Sequence, residues 1–207
     1  MVKWETKREI KMINTGTVIF LNGTSSAGKT SISNELMQTL NEDFIYLSVD
    51  NAIAGVNDML MSMFGKQITR DEIRTIEHEE MIENPVISLF HHYIMAFSRI
   101  GKNVIVDHVL IDRSWLEECI KLLHNTQTFY IGVHCPLEEL ERRERERGDR
   151  PIGLAKAQFE MVHKHSKYDF EVNTSDNSIT ECANMIKDFI ITNQPNALKE
   201  LKVKMNL

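Results

Sequence analysis

The sequence has few of the features that mark secreted, membrane or metal-binding proteins. Its three cysteines, Cys119, Cys135 and Cys182, are scattered and do not have the spacing of metal ligands. We therefore expect reduced thiols in a cytoplasmic protein. No stretch approaches the roughly 18 apolar residues that a membrane-spanning helix needs. The charged residues 1–12 lack the apolar centre of a secretory signal peptide.

The composition that remains is typical of one globular domain. Charged residues make up 26% of the chain and apolar residues 42%. The formal net charge of −6 argues against a nucleic acid or an anionic membrane as the main partner. We predict a single domain over residues 1–207, with an N-terminal extension at 1–15 and a loosely attached tail at 195–207. Whether the protein forms a homo-oligomer stays open.

Short apolar runs alternate with longer amphipathic patterns along the chain. The runs are rich in Val, Ile and aromatic residues and mostly lack period-2 alternation, as in strands buried on both faces. They lie at 17–21, 44–49, 103–107, 129–134 and 170–174. Capping boxes begin at Thr69 and Ser178, and Gly101 follows a third helical pattern. This alternation predicts an α/β fold with a parallel sheet covered on both faces.

The stretch TVIFLNGTSSAGKT, residues 17–30, contains a complete G-x-x-x-x-G-K-[ST] motif between a predicted strand and a predicted helix. Its glycines let backbone N–H groups turn toward a phosphate, and the helix N-terminus adds the positive end of its dipole. Lys29 would reach the β- and γ-phosphates, and the Thr30 hydroxyl would ligate Mg²⁺. The alternative is a flexible turn that carries a lysine by chance. The candidate nucleotide-binding residues are Gly23, Thr24, Ser25, Ser26, Ala27, Gly28, Lys29, Thr30 and Ser31.

Two aspartates close predicted strands, at the sheet edge where ligands of parallel α/β proteins gather. Asp107 ends NVIVD, a Walker B-like strand, so its carboxylate would hold Mg²⁺ directly or through water. The alternative is a helix-cap or turn aspartate. Asp50 would orient and deprotonate an acceptor hydroxyl, or it would be the N-cap of a helix that starts near Asn51. The spacing favours neither function of Asp50.

Residues 138–153, EELERRERERGDRPIG, are dense in glutamate and arginine. Glutamates four residues before arginines are typical of an exposed helix with weak ion pairs. However, Arg143, Arg147 and Arg150 are spaced i, i+4, i+7 and would align if the helix continued. A lid that closes these arginines over ATP would stabilise charge on the transferring phosphoryl group. Composition alone leaves both interpretations open.

Together these segments resemble the chloramphenicol phosphotransferase family of P-loop kinases, which phosphorylate a small-molecule hydroxyl from ATP. The matching stretches cover most of residues 17–50 and 100–185. They are LNGTSSAGKT, SVDNAI, VIVDHVL, IGVHCPLEELERRERERGDRPIGLAKAQ and VHKHSKYDFEVNTSDNSITECA. The GDR–G–A–Q and YD-EV-T–S-ECA stretches are more specific than the Walker A motif alone.

The resemblance implies a P-loop NTPase fold with a five-stranded parallel sheet and a mobile, arginine-bearing lid, as in nucleoside monophosphate kinases. It implies ATP and Mg²⁺ as cofactors and a small hydroxylated substrate. It also implies that Asp50 is the catalytic base and that Arg143, Arg147 and Arg150 are the basic residues of the lid. The stretch VNTSDNS would lie near the adenine.

The sequence departs from the family at two places. Residues 51–99 keep little beyond the helical pattern before Gly101, and His108 stands where the family tends to carry a second acidic residue. The resemblance therefore implies the reaction class and not the acceptor, and antibiotic resistance, metabolism and regulation all stay open. The alternatives are a kinase of a nucleoside or an RNA 5′-hydroxyl and a non-catalytic GTPase-type switch. The switch would need an N-K-x-D loop, which the sequence lacks.

Histidines and methionines provide weaker signals. We expect His91 and His92 on the surface of the helix before Gly101. His163 and His165 are two residues apart and so on different helix faces, which disfavours a metal site. The methionine-rich residues 59–64 are predicted to belong to the core.

Overall fold

The computed structural model describes residues 15–55, 84–148 and 152–207. The strands are β1 (Val18–Asn22), β2 (Phe44–Ser48), β3 (Asn103–His108), β4 (Thr128–His134) and β5 (Phe170–Asn173). The helices are α1 (Lys29–Thr39), α2 (49–55), α3 (Asn84–Arg99), α4 (Arg113–Leu123), α5 (Leu137–Arg147), α6 (Leu154–Val162), α7 (Ile179–Thr192) and α8 (Ala197–Met205). None of these described helices is both long and apolar enough to cross a bilayer.

The five strands form one parallel sheet in the order β2-β3-β1-β4-β5. β1 lies at the centre, paired with β3 and β4, and all of its residues are buried. Each strand matches its predicted range to within one residue at either end. The predicted α/β fold with a five-stranded parallel sheet is therefore confirmed.

The residues of β1 alternate between two hydrophobic layers. Ile19 and Leu21 pack in the layer formed with α1 and α7. Val18 and Phe20 pack in the layer formed with α3, α4 and α8. Because helices cover both faces of the sheet, the four positions from Val18 to Leu21 are all apolar and buried, which explains the missing period-2 alternation.

Two predicted helix boundaries are confirmed. The Ser178 hydroxyl accepts from the Glu181 N–H while the Glu181 carboxylate accepts from the Ser178 N–H, a complete capping box for α7. α3 ends at Arg99, and Gly101 has a φ of 79°, a left-handed conformation that favours glycine. The capping box at Thr69 and the methionine-rich stretch lie outside the described residues.

The C-terminal residues correct one prediction. Residues 195–207 are predicted to be a loosely attached tail, but most of them form α8, whose Ala197, Leu198 and Leu201 are buried in the layer with α3 and α4. The apolar residues of α8 form a short stripe and alternate in sequence with lysines. The composition of this segment therefore does not indicate that one face of the helix is packed against the core.

Replacement of Leu201 by alanine is expected to lower the free energy of unfolding by about 3 kcal/mol, because the change leaves a cavity at a fully buried site. Urea unfolding followed by circular dichroism measures this. The matched control is Val203→Ala on the same helix, since Val203 is 79% exposed and should change stability little. Equal and small effects of the two variants would show that α8 is not part of the core.

Candidate active site

The predicted phosphate cradle connects β1 to α1 at the carboxyl edge of the sheet. Gly28 has a φ of 94° and is the N-cap of α1 without a side-chain cap, so the N–H groups of the first helical turn are available to an anion. A Cβ at Gly23 would lie 2.4 Å from the Val133 carbonyl oxygen, so only glycine fits there. Gly28 therefore has a conformational reason to be glycine, and Gly23 has a steric one.

A cavity of about 460 Å³ opens at the cradle and brings the predicted groups together. The strand-end aspartates Asp50 and Asp107 line it, and so do Arg143 and Arg147 of the arginine run. The residues of the cradle that line this cavity are Ser25, Ser26, Gly28, Lys29, Thr30 and Ser31. Gly23, Thr24 and Ala27 complete the loop without lining the cavity, and Arg150 lies outside the described residues.

Asp107 is the centre of a polar cluster beside the cradle. The Thr30 hydroxyl donates to Asp107 Oδ2 at 2.7 Å, and the Tyr46 hydroxyl donates to the same oxygen at 3.2 Å. Lys29 Nζ lies 3.6 Å from Asp107 Oδ1. Asp107 is itself buried inside β3, so the alternative of a helix-cap or turn aspartate is wrong.

Tyr46 is a site residue that the sequence analysis missed. Burial raises its pKa, and the negative charge of Asp107 raises it further, so the phenol stays protonated and can donate. A tyrosine inside an apolar run predicts only a packed strand. The pairing of β2 with β3, in register at Ser48 and Asp107, brings the phenol to the carboxylate.

Lys29 is the first residue of α1, and its side chain extends back across the cradle. Its ammonium group donates to the Thr24 carbonyl oxygen at 2.8 Å and faces Asp107, while the residue is 5% exposed. A buried ammonium group requires such partners, because an unpaired charge inside a protein is costly. The geometry places one positive charge on the wall of the cavity.

Asp50 lies in the first turn of α2, on the wall of the same cavity as Lys29. The alternative in which Asp50 caps a helix that starts near Asn51 is wrong, because the helical segment already includes residues 49 and 50. Asp50 is exposed, in contrast to the buried Asp107. The two predicted carboxylates therefore share a cavity but have different environments.

The arginine run forms α5, which ends at Arg147 with Gly148 in the left-handed region at a φ of 66°. Arg143 donates to the Glu139 carboxylate at 2.7 Å, the predicted i, i+4 ion pair. Its other nitrogens donate to the Thr174 hydroxyl at 2.9 Å and the Thr174 carbonyl at 2.8 Å. Arg143 thus forms an ion pair along the helix and also lines the cavity.

The loop after β5 borders the cradle. The Thr174 hydroxyl donates to the Ala27 carbonyl oxygen at 2.9 Å, and Asn177 and Ser178 line the cavity beyond it. This is the VNTSDNS stretch, which the resemblance places near the adenine. Its contact with the cradle puts it beside the predicted phosphate-binding residues.

Gln158 of α6 also reaches the cradle. The Ser25 N–H donates to Gln158 Oε1 at 2.7 Å. No motif in the sequence assigns a function to Gln158, although this residue ends the GLAKAQ stretch that carries the family resemblance. Its position in that stretch is the sequence signal that could have identified Gln158 as a site residue.

The interior beside β3 contains a histidine chain, which corrects the prediction that His91 lies on a helix surface. His91 is fully buried, whereas His92 is exposed. The Val109 N–H donates to His108 Nδ1 at 2.7 Å, so His108 Nε2 carries the proton and donates to His91 Nε2 at 2.9 Å. His91 Nδ1 then donates to the Glu118 carboxylate at 2.6 Å.

The hydrogen bonds from His108 through His91 to Glu118 explain how His108 is accommodated where the family tends to have an acidic residue. Burial lowers the pKa of both His108 and His91, so both rings are neutral at neutral pH. His108 therefore adds no charge beside Asp107, and its hydrogen bonds extend away from the cradle toward Glu118.

His163, which directly follows α6, is a third imidazole that is neutral at neutral pH. Burial lowers its pKa to about 4, with further contributions from His134 and Lys29. The rings of His163 and His134 stack with centroids 4.1 Å apart, and His163 Nδ1 lies 2.6 Å from the Tyr168 hydroxyl oxygen. The positive charge of the cavity thus comes from lysine and arginine.

Solved structures of other proteins share this fold. The chain is similar to Mycobacterium tuberculosis APS kinase in complex with AMPPNP and APS, with a TM-score of 0.61, 19% identity, and coverage of 86% of this chain and 99% of that one. It is also similar to Acinetobacter baumannii shikimate kinase in complex with shikimate, with a TM-score of 0.60, 16% identity and coverage of 87% and 96%. The fold is that of the P-loop kinases.

Sequence comparison then identifies the family. Residues 16–191 match the family described as chloramphenicol phosphotransferase-like protein. Two Mycobacterium tuberculosis proteins, from strains CDC 1551 / Oshkosh and H37Rv, are 32% identical over 178 residues, which is 81% of this chain and 79% of each relative. Their names give O-phosphotransferase as a provisional activity. The chain belongs to the chloramphenicol phosphotransferase-like family, and it is a phosphotransferase that acts on a small molecule.

Proposed function

We propose that this protein transfers the γ-phosphate of ATP to a hydroxyl group of a small molecule, with Mg²⁺ as cofactor. The observation that carries the proposal is the convergence of Lys29, Thr30, Asp107 and Asp50 on one cavity at the carboxyl edge of the sheet. The APS kinase of similar fold was solved with AMPPNP, an ATP analogue, which supports ATP as the phosphate donor.

In this proposal the cradle and the arginines bind the phosphates of ATP. The uncapped N–H groups at the start of α1 would donate to the inner phosphates, and Lys29 would reach the β- and γ-phosphates. Arg143 and Arg147, on the opposite element α5, would place positive charge near the transferring group. The loop of Asn177 and Ser178 would contact the adenine.

The residues around Thr30 fit a magnesium ion. The Thr30 hydroxyl and the Asp107 carboxylate are adjacent oxygen donors, the type that Mg²⁺ prefers, and both line the cavity. When bound, Mg²⁺ would neutralise charge on the β- and γ-phosphate oxygens. Tyr46 would keep the Asp107 carboxylate in position from the neighbouring strand.

Asp50 is proposed as the catalytic base. The acceptor hydroxyl would donate to the Asp50 carboxylate, which orients its oxygen toward the γ-phosphorus. As the new O–P bond forms, the bond between the γ-phosphorus and the bridging oxygen of ADP breaks, and the hydroxyl proton passes to Asp50. An exposed carboxylate suits this step, because it exchanges its proton with water after each turnover.

The proposal extends to the organisation of the chain. We propose that residues 1–207 form one kinase domain in which residues 138–153 act as a mobile lid. The acceptor is proposed to be a small hydroxylated molecule, and inactivation of a hydroxylated antibiotic is the role that the family description suggests. A nucleoside or RNA 5′-hydroxyl is the alternative acceptor, against which the net charge of −6 argues in the case of RNA.

The experiment that tests the function follows transfer of labelled γ-phosphate from ATP with Mg²⁺ to hydroxylated antibiotics, nucleosides and short 5′-hydroxyl RNAs. We expect a labelled product from a small hydroxylated molecule. Label that appears only in RNA would favour the alternative acceptor. Tight ATP binding without transfer to any member of a broad acceptor panel would favour a non-catalytic nucleotide-binding protein.

A further inference from the structure

Helix α6 is fixed to the lid helix at its N-terminal end. The carboxylate of Glu144, on α5, accepts from the Gly153 N–H at 2.7 Å and from the Ala155 N–H at 2.9 Å. Gly153 is the N-cap of α6 and has no side chain that could cap it. Glu144 is 2% exposed and therefore acts as a buried cap from another helix, with its negative charge at the positive end of the α6 dipole.

The C-terminal end of α6 is fixed to the strand that leads into the cradle. Asn22, which directly precedes Gly23, donates from Nδ2 to the Val162 carbonyl oxygen at 3.0 Å. The Asn22 side chain is fully buried, and its Oδ1 accepts from the Leu110 N–H at 2.8 Å. Both ends of α6 are thus held by buried hydrogen bonds, the N-terminal end to α5 and the C-terminal end to the strand that leads into the cradle.

Gln158 lies between these two attachments. Because a backbone N–H can only donate, the contact between the Ser25 N–H and Gln158 at 2.7 Å identifies the bonded atom as Oε1. The NH₂ group is then the other branch of the carboxamide. Across residues 15–55, 84–148 and 152–207, the structure records no hydrogen-bond partner for Gln158 Nε2.

We propose that Gln158 is a phosphoryl-contacting residue whose Nε2 donates to an oxygen of the γ-phosphate of ATP. This inference rests on the proposed function. Ser25, which holds the carboxamide, lines the phosphate cavity. Ser25 lies in the first half of the loop, before Gly28, and the backbone N–H groups of such a loop cradle nucleotide phosphates, so the carboxamide that Ser25 holds would lie beside them.

The chemistry of an anchored carboxamide suits this position. Charge spreads over the oxygens of the phosphoryl group during transfer, and a fixed donor aimed at them needs no reorganisation at that moment. The hydrogen bond from the Ser25 N–H to Oε1 would hold the carboxamide in place beside the loop. Gln158 would add a neutral hydrogen-bond donor to the charges supplied by Lys29 and the arginines.

Gln158→Glu is the most informative variant. Its carboxylate keeps an oxygen for the Ser25 N–H but replaces the NH₂ donor with an anionic oxygen that repels phosphate. Calorimetric titration of the full chain with AMPPNP and with ADP, each with Mg²⁺, should show AMPPNP affinity lowered about 10- to 100-fold and ADP affinity within about twofold of wild type. Gln158→Ala should give the same selectivity with a smaller loss. The matched control is Gln38→Glu on the exposed face of α1.

Two results would overturn this inference. Equal losses of ADP and AMPPNP affinity would show that Gln158 only supports the shape of the cradle. Unchanged affinity for both nucleotides in Gln158→Glu would show that Nε2 does not contact the γ-phosphate, and would leave the proposed function intact. A wild-type protein that bound neither nucleotide would refute the proposed function, and this inference with it.

Discussion

Replacement of Asp50 by asparagine is expected to lower the turnover number about 10³-fold, within the range that general-base catalysis contributes. Asparagine keeps the size of the side chain but cannot accept a proton. The affinity for ATP should change little, because Asp50 lies on the cavity wall at the start of α2, outside the loop that is proposed to bind the phosphates. The loss should therefore appear in the turnover number and not in nucleotide binding.

Two measurements separate these effects. Steady-state transfer of labelled phosphate to the acceptor found in the panel gives the turnover number, and calorimetric titration with AMPPNP gives nucleotide affinity. The control is Asp188→Asn, an exposed aspartate of α7 that does not line the cavity. Undiminished turnover in Asp50→Asn would remove Asp50 as the base, and a parallel loss of AMPPNP affinity would make it a binding residue.

Replacement of Lys29 by alanine is expected to lower both nucleotide affinity and phosphate transfer, with kcat/KM reduced about 10³-fold, as for the loss of one preorganised electrostatic contact at a reacting group. Lys29 is the one cradle residue whose side chain supplies a full positive charge to the phosphates. Its removal also takes away the partner of the Thr24 carbonyl and of Asp107. Transfer should suffer more than binding, because charge on the phosphoryl oxygens is redistributed during the reaction.

For Lys29→Ala, the thermal stability is measured together with nucleotide affinity and the rate of phosphate transfer. Thermal unfolding of Lys29→Ala shows whether the buried Asp107 cluster tolerates the loss of the ammonium group. Lys204→Ala, at an exposed position of α8, is the matched control and should behave as wild type. The cradle assignment is refuted by a folded Lys29→Ala protein that binds AMPPNP and transfers phosphate normally. Lys29→Arg should rescue little, since a planar guanidinium does not replace a compact ammonium group.

The strands and the cradle were predictable because their signals are local. A buried parallel strand requires a short apolar run, and each of the five runs became a strand of the sheet. A phosphate cradle requires glycine at fixed spacing, and the structure gives Gly23 and Gly28 a steric and a conformational reason respectively. Where the sequence alone misled, as for α8 and His91, the burial depended on a partner that is distant in the chain.

The sequence by itself determined the α/β class, the position of the glycine-containing loop between β1 and α1, and most of the charged residues that line the cavity beside it. These depend on residue type and spacing within a few positions. Only the tertiary structure decided that Tyr46 donates to Asp107 and that Gln158 holds the Ser25 N–H, contacts that join residues 61 and 133 positions apart. Such contacts follow from strand order and helix packing, because a parallel sheet brings the carboxyl ends of distant strands to one edge.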